Sequence, residues 1–272
     1  MRLELDHVAI GDGPGAALPA ISVVADRRSP GFVAVETEGA PTLASLVAAG
    51  RMSPDRGRVT LDGRDDDAAV RASFALVDTP SVAEPFGSLT VAQVTREELA
   101  LAGHRGDAAS TALVLDELGL TEHRRTRLSA LPTELRVRLL CELALLRPGV
   151  AGLVLTSPER HGGDVAAWLA VVHDLVRRDV VVLTITSFAA VTALSALPVP
   201  DFGEADARGE AVDADDDAAP APAALGDDTA ADATDTAADA TDTDTDTDTD
   251  TDTDTTLPDD ADVAPTPGSD RP

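Results

Sequence analysis

The residues able to carry chemistry are few, and their spacing excludes more than it allows. Cys141 is the one cysteine in 272 residues, which rules out an internal disulfide and a multi-cysteine metal site. The five histidines, His7, His104, His123, His161 and His173, show no metal-ligand spacing and are expected on the surface or on helix faces. All 21 basic residues are arginine and lysine is absent. A phosphate-cradling loop of the form Gly-x-x-x-x-Gly-Lys-Ser/Thr therefore cannot be complete here, because its lysine offsets the charge of the β- and γ-phosphates. Arg124, Arg125 and Arg127 form a small basic cluster, read as a solvated helix end; the sharper alternative is a dock for the chain's own acidic tail.

That tail accounts for most of the net charge of −28. Residues 201–272 hold 24 acidic and 2 basic residues, a balance of −22, which leaves −6 for the first 200. Residues 1–200 are thus an ordinary, mildly acidic segment, long enough for one sizeable core. No basic stripe tracks phosphates, so nucleic acid is not an expected partner. Beyond Pro200 the chain is rich in Ala, Asp and Thr, with strict Thr-Asp alternation from Thr241 to Asp254. Such a segment cannot bury enough apolar surface to offset chain entropy, so disorder is expected. A solubilising spacer is the plain reading, with loose divalent-cation binding or phosphorylation of its threonines as alternatives. The N-terminus lacks the basic and apolar regions of a secretory signal. Val180–Pro200 is uncharged for 21 residues, but it holds five Ser/Thr and two prolines. A buried strand and a short helix fit it better than a membrane span, so no direct membrane insertion is expected.

The elements that must position any site follow from periodicity. Residues 3–10 and 18–25 read as strands separated by the glycine-rich turn GDGPG, and Gly31–Val35 as a third. TLASLVAAG is helical up to Gly50, and Arg58–Leu61 is a strand. The stretch 108–146 reads as two helices, the second marked by Leu135, Leu139, Leu140, Leu143 and Leu146. Val150–Leu155 and Val180–Ile185 are almost wholly apolar, as parallel strands buried on both faces are. Between them Val165, Trp168, Leu169, Val172, Leu175 and Val176 make an apolar stripe, with Asp164 placed as its cap. Strand–helix–strand at this spacing is a βαβ unit, so the class is α/β.

In this order the pieces resemble the nucleotide-binding domain of ABC transporters over most of residues 1–197. AGRMSPDRGRVTLDG (49–63) resembles the stretch after that family's phosphate loop, and SLTVAQ (88–93) the entry to its helical subdomain. LDELGLTEHRRTRLS (115–129) and RVRLLCELALLRP (136–148) resemble the helices on either side of its signature. VLTITS (182–187) resembles the strand that ends in its switch histidine. The resemblance implies a P-loop NTPase-like α/β domain over residues 1–200, with a helical subdomain at about 85–146, followed by the disordered tail at 201–272.

The same alignment places other residue types where the family's chemistry sits. At the phosphate loop, VETEGAPTLASL (35–46) retains Gly39 and Thr42, but Pro41 lacks an N–H and Glu36 and Glu38 would repel phosphate. At the end of the Walker B strand, Thr156 and Ser157 replace the magnesium-holding Asp and the catalytic Glu, while Glu159 lies two residues late and reads as a solvated loop acid. The signature retains Leu128 and Ser129, with Leu131, Pro132 and Glu134 following; Ser129 reads as a helix cap rather than a phosphate ligand. The strand-end glutamine position falls at Thr79 or Asp78, the switch histidine at Ser187, and the adenine-stacking aromatic at Ile10 or Gly11. Losing one well-placed electrostatic group costs about 10²–10³ in rate, and here lysine, metal ligand, base and switch residue are all replaced.

The expected function is accordingly a non-catalytic ABC-like domain, an accessory or regulatory subunit of a membrane transporter or export complex. It would be cytoplasmic, at the inner face of the membrane through a partner that is either a transporter subunit or another ABC ATP-binding subunit. No cofactor is expected, with weak Mg-ATP binding left open. The alternative is an ATP-binding subunit that holds nucleotide through an unorthodox site.

Overall fold

The computed structural model describes residues 1–36 and 39–197. The expectations for Glu38 and for the tail lie outside the described residues.

Two sheets organise the domain. In the first, β1 (Arg2–Ile10) is central and antiparallel to both β2 (Leu18–Asp26) and β4 (Arg56–Leu61). Leu3 and Leu5 are buried between more exposed Arg2 and Glu4, the period-2 alternation of a sheet with one wet face. The register shifts on both sides of β1 around His7, whose φ is 51°. Facing it, a Cβ on Gly57 would lie 2.4 Å from the backbone of Asp6 and His7, so only glycine fits beside this irregularity.

The second sheet is parallel, in the order β3 (Gly31–Ala34), β7 (Val181–Thr186), β6 (Gly152–Thr156), β5 (Phe74–Val77). Every residue of β5, β6 and β7 is buried, because α5 and α6 cover one face and α1 with the antiparallel sheet covers the other. One face is made of Phe74, Leu76, Val154, Val181, Leu183 and Ile185 and packs with α1 (Ala40–Ala48). The other, with Ala75, Val77, Leu153, Leu155 and Val182, packs with α5 (Thr133–Leu145) and α6 (Val165–Arg177). Trp168 of α6 is 1% exposed, and each large apolar side chain buried in this way stabilises the fold by roughly 1.5–3 kcal/mol.

Several helices start at a capping side chain. Asp164 accepts the Ala166 N–H at 3.0 Å at the start of α6, as its position predicts. Thr90 and Gln93 form a reciprocal capping box at the start of α3 (Val91–Leu101), and Asp107 accepts the Ser110 N–H at 2.8 Å ahead of α4 (Ala108–Glu117). A helix that periodicity does not announce, α2 (Asp67–Ser73), precedes β5 and is capped by Asp66. Beyond β7 the uncharged run turns into α7 (Phe188–Ser195). No helix among the described residues is long and apolar enough to cross a membrane.

Candidate functional site

In a parallel sheet covered by helices, ligands bind outside the carboxyl ends of the strands. Here those ends are Ala34, Val77, Thr156 and Thr186. Among the described positions, Thr79, Thr156, Ser157 and Ser187 lie at this edge and Gly39 and Thr42 at the turn entering α1, whereas Ser129 lies ahead of α5 and Ile10 and Gly11 at the end of β1 in the other sheet.

The centre of the edge is closed by hydroxyls. Thr156 Oγ1 lies 2.7 Å from Ser45 Oγ of α1 and 2.8 Å from Thr79 Oγ1, just past β5; all three residues are fully buried. Ser45 donates its proton to the Pro41 carbonyl at 2.8 Å. Each hydroxyl has one proton, so the remaining bonds run from Thr79 to Thr156 and from Thr156 to Ser45. The oxygens are at direct hydrogen-bond separation, and none carries charge. Magnesium demands near-octahedral oxygen ligands at about 2.0–2.1 Å and normally at least one carboxylate. This chain of neutral hydroxyls fits the ion poorly.

Carboxylates of the same chain meet amides beside it. Glu36 Oε1 accepts the Phe188 N–H at 2.7 Å, and Glu159 Oε1 accepts the Ser187 N–H at 2.8 Å. Both lie where β7 passes into α7, and the first N–H groups of a helix are unpaired donors on a positive dipole end. Ser187 itself caps α7, its Oγ accepting the Ala190 N–H at 3.2 Å. Glu159 is thus half-buried and hydrogen-bonded, which corrects its reading as a solvated acid. Two carboxylates of the chain itself thus occupy amides at the start of α7.

The remaining positions are plain. Gly39, at φ 76°, leads into α1 with open space where a Cβ would be, and Pro41 occupies the second helical position. Thr42 follows it, half-buried. Ser157 continues β6 in a left-handed conformation (φ 45°, ψ 57°) and donates its N–H to the Ile185 carbonyl at 2.7 Å. Ser129 is exposed within a single 3-10 turn, Leu128–Ala130, and α5 begins after Pro132 with no side-chain cap. The cap reading of Ser129 is therefore corrected; its N–H donates to the Gly87 carbonyl at 3.0 Å instead. Leu131 is buried in the core.

Sequence reasoning left Asp78 and Thr79 as alternatives for one position, and the two residues part company. Thr79 joins the hydroxyl chain. Asp78, only 1% exposed, turns the other way into an ionic cluster. Arg136 of α5 grips it in bidentate fashion, Nε to Oδ2 at 2.9 Å and Nη2 to Oδ1 at 2.6 Å. Arg160 lies 3.1 Å from Asp78 Oδ1 and 3.0 Å from Glu84, and it donates to the Thr156 carbonyl at 2.9 Å. His161 Nε2 is 2.8 Å from Asp78 Oδ2, which corrects the surface reading of this histidine. Burial pushes the Asp78 carboxyl up, but hydrogen bonds from Arg136 and His161 and the guanidinium charges outweigh it and hold the group well below the usual carboxylate range. Asp78, Glu84 and His161 could offer three ligand atoms within 4.8 Å of one another. Arg136 and Arg160 already supply two positive charges to the same oxygens, so a metal cation is a poor fit. The one advance signal was Arg136 itself, an arginine on the buried stripe with Thr133, Val137 and Leu140.

Neither a protein-family model nor a curated protein matches the sequence. Solved structures do match in fold. A nucleotide-free ATP-binding cassette from an ABC transporter superposes with a TM-score of 0.51 at 14% identity, over 72% of this chain and 85% of that one. An ATP-binding subunit of an ABC transporter gives 0.47 at 18% identity, over 71% and 82%. An ABC transporter ATP-binding protein from Pyrococcus furiosus gives 0.48 at 14% identity, over 69% and 92%. The chain has the fold of an ABC-transporter ATP-binding domain.

Proposed function

We propose that this chain is a non-catalytic ATP-binding-cassette domain that works by binding, as an accessory or regulatory subunit of a membrane transporter or export complex. The observation that carries the reading is the hydrogen-bonded chain Thr79–Thr156–Ser45 at the centre of the carboxyl edge, where a nucleotide's metal would need an anionic ligand. Glu36 and Glu159 add to it by taking up amides that could otherwise face a phosphate.

A binding role has a surface to use. A groove of about 390 Å³ lies between the parallel sheet and α3, lined by Val82, Phe86, Leu89 and Leu101 among others. Phe86 is 80% and Leu101 71% exposed, and large apolar side chains displayed together on the rim of a groove are characteristic of docking sites. The lining holds Arg51 and Arg147 together with Asp78, Glu84, Glu97 and Glu98, and Arg147 is paired with Glu98 at 2.7 Å. Desolvation and the repulsion of Arg147 and Arg71 lower the pKa of Arg51, whose guanidinium donates to the Ala49 and Phe74 carbonyls. It meets no carboxylate among the described residues. An apolar helix presented by a transporter subunit matches the exposed Val82, Phe86 and Leu101 of this lining.

Titration calorimetry with Mg-ATP tests the non-catalytic part, and the expected result is no binding heat. Binding with a micromolar Kd that is lost on changing Thr42 or Gly39 would overturn it in favour of an unorthodox nucleotide site. Isolation of the native complex tests the rest: a chain that purifies alone and monodisperse would remove the subunit reading.

A further inference from the structure

We infer that the cluster Asp78–Arg136–Arg160–Glu84–His161 is a lock that holds the helical layer α3–α5 at one fixed setting against the parallel sheet. Five side chains from three separate parts of the chain meet there. Asp78 and Glu84 come from the segment leaving β5, Arg136 from α5, and Arg160 and His161 from the turn after β6. Arg136 also reaches the Leu128 carbonyl at 3.4 Å, just ahead of α5. Thr133, one turn earlier on α5, donates to the Gly162 carbonyl at 2.8 Å, beside Arg160 and His161. The helical layer is thus tied to the ends of both β5 and β6.

The apolar contacts between these layers do not by themselves fix an angle, because hydrophobic burial is non-directional. A bidentate guanidinium–carboxylate pair is directional and tolerates little sliding. Buried ion pairs are in general weak contributors to net stability, and their best-attested service is to specify one arrangement among several. Asp78 adds a second sign of constraint. It is a non-glycine residue with φ of 55°, a conformation that persists where surrounding contacts over-determine it. The consequence is a groove beside α3 that is preset rather than opened by a ligand. That bearing on function rests on the binding role proposed above, whereas the rigidity is measurable without it.

The test is a pulsed electron-resonance distance measurement on the full chain, with spin labels at Leu113→Cys on α4 and Val24→Cys on β2. Both positions are exposed, and the native Cys141 is fully buried, which keeps it from being labelled. The expected result is one narrow distribution in the parent protein, lost in Asp78→Asn and in the uncharged pair Asp78→Leu with Arg136→Met. A broad or two-peaked parent distribution would overturn the lock, as would a folded variant that keeps the parent distribution. Arg160→Gln, at a side chain 23% exposed, provides the reading should the Asp78 variants fail to fold; it too is expected to broaden the distribution, and an unchanged one counts against the lock. Mg-ATP that binds with a micromolar Kd lost on changing Thr42 or Gly39, without altering the distances, would sink the reading proposed above and leave the lock standing.

Discussion

Replacing Asp78 by asparagine keeps the shape of the side chain and removes one negative charge from a site with almost no access to water. Arg136, whose side chain is 3% exposed, would then face an amide oxygen and Glu84 at 3.8 Å, and Arg160 would keep Glu84 at 3.0 Å and the Thr156 carbonyl at 2.9 Å. Breaking a buried pair by removing one partner costs about 3–5 kcal/mol. The amide oxygen still accepts one hydrogen bond, so the lower end of that range, about 3 kcal/mol, is the expected loss. For a domain of this size a kcal/mol moves Tm by about 2–4 °C, so the fall is about 6–12 °C. Urea unfolding of the full chain reports it directly, because Trp168 is the single tryptophan and is buried in the native state. The matched control is Asp174→Asn, which removes the exposed pair Asp174–Arg177 on α6 and should change stability by about 0.5 kcal/mol or less. A loss below about 1 kcal/mol for Asp78→Asn, with an unchanged m-value, would refute the claim that this cluster is electrostatically different from a surface pair.

The Asp78 carboxyl is held down in the folded state, so it stays ionised after its unfolded counterpart, near pH 3.9, has taken up a proton. Its contribution to stability is therefore complete above that value and declines as pH falls below it; stability measured from pH 6 down to pH 3 should fall less steeply in Asp78→Asn than in the parent. Thr156→Val keeps volume but leaves the Thr79 hydroxyl without its buried acceptor, while Ser45 retains the Pro41 carbonyl; urea titration should show a loss of about 1–3 kcal/mol. Gly57→Ala forces a Cβ into the backbone of β1 at a left-handed position, and thermal unfolding should show a loss well above 1 kcal/mol. Deleting residues 204–272 is expected to leave Tm nearly unchanged, and a large fall would show that the tail is bound to the domain.

The strands and helices of the domain were legible wherever burial imposed a simple pattern. β6 and β7 announce themselves as unbroken apolar runs because both their faces are covered, and α6 does so as a stripe with an aspartate at its head. α2 was not legible, since its seven residues hold one buried side chain, Val70, too few to make a period. The site was legible as a set of positions but not as a set of contacts. Thr156 and Ser187 stand at strand ends that any reading of the apolar runs locates. Nothing local says that Ser45 bonds Thr156 across 111 residues, or that Glu36 reaches Phe188 across 152. Side-chain pairing at such separations is decided by how layers stack, and the stacking is written in no single segment. His161 shows the same limit: read alone it is a loop histidine, and only Asp78, 83 residues away, gives it a role.

The carboxylate of Glu36, seated on the first amide of α7, has a bearing on how this domain could ever change occupation. A cation engineered near Gly39 would meet an anion of its own chain before meeting any foreign one. Eviction must precede installation at such a place, and the first step loses the hydrogen bond on the Phe188 amide before it gains anything. The start of α7 is in this sense a seat already taken by the chain's own charge.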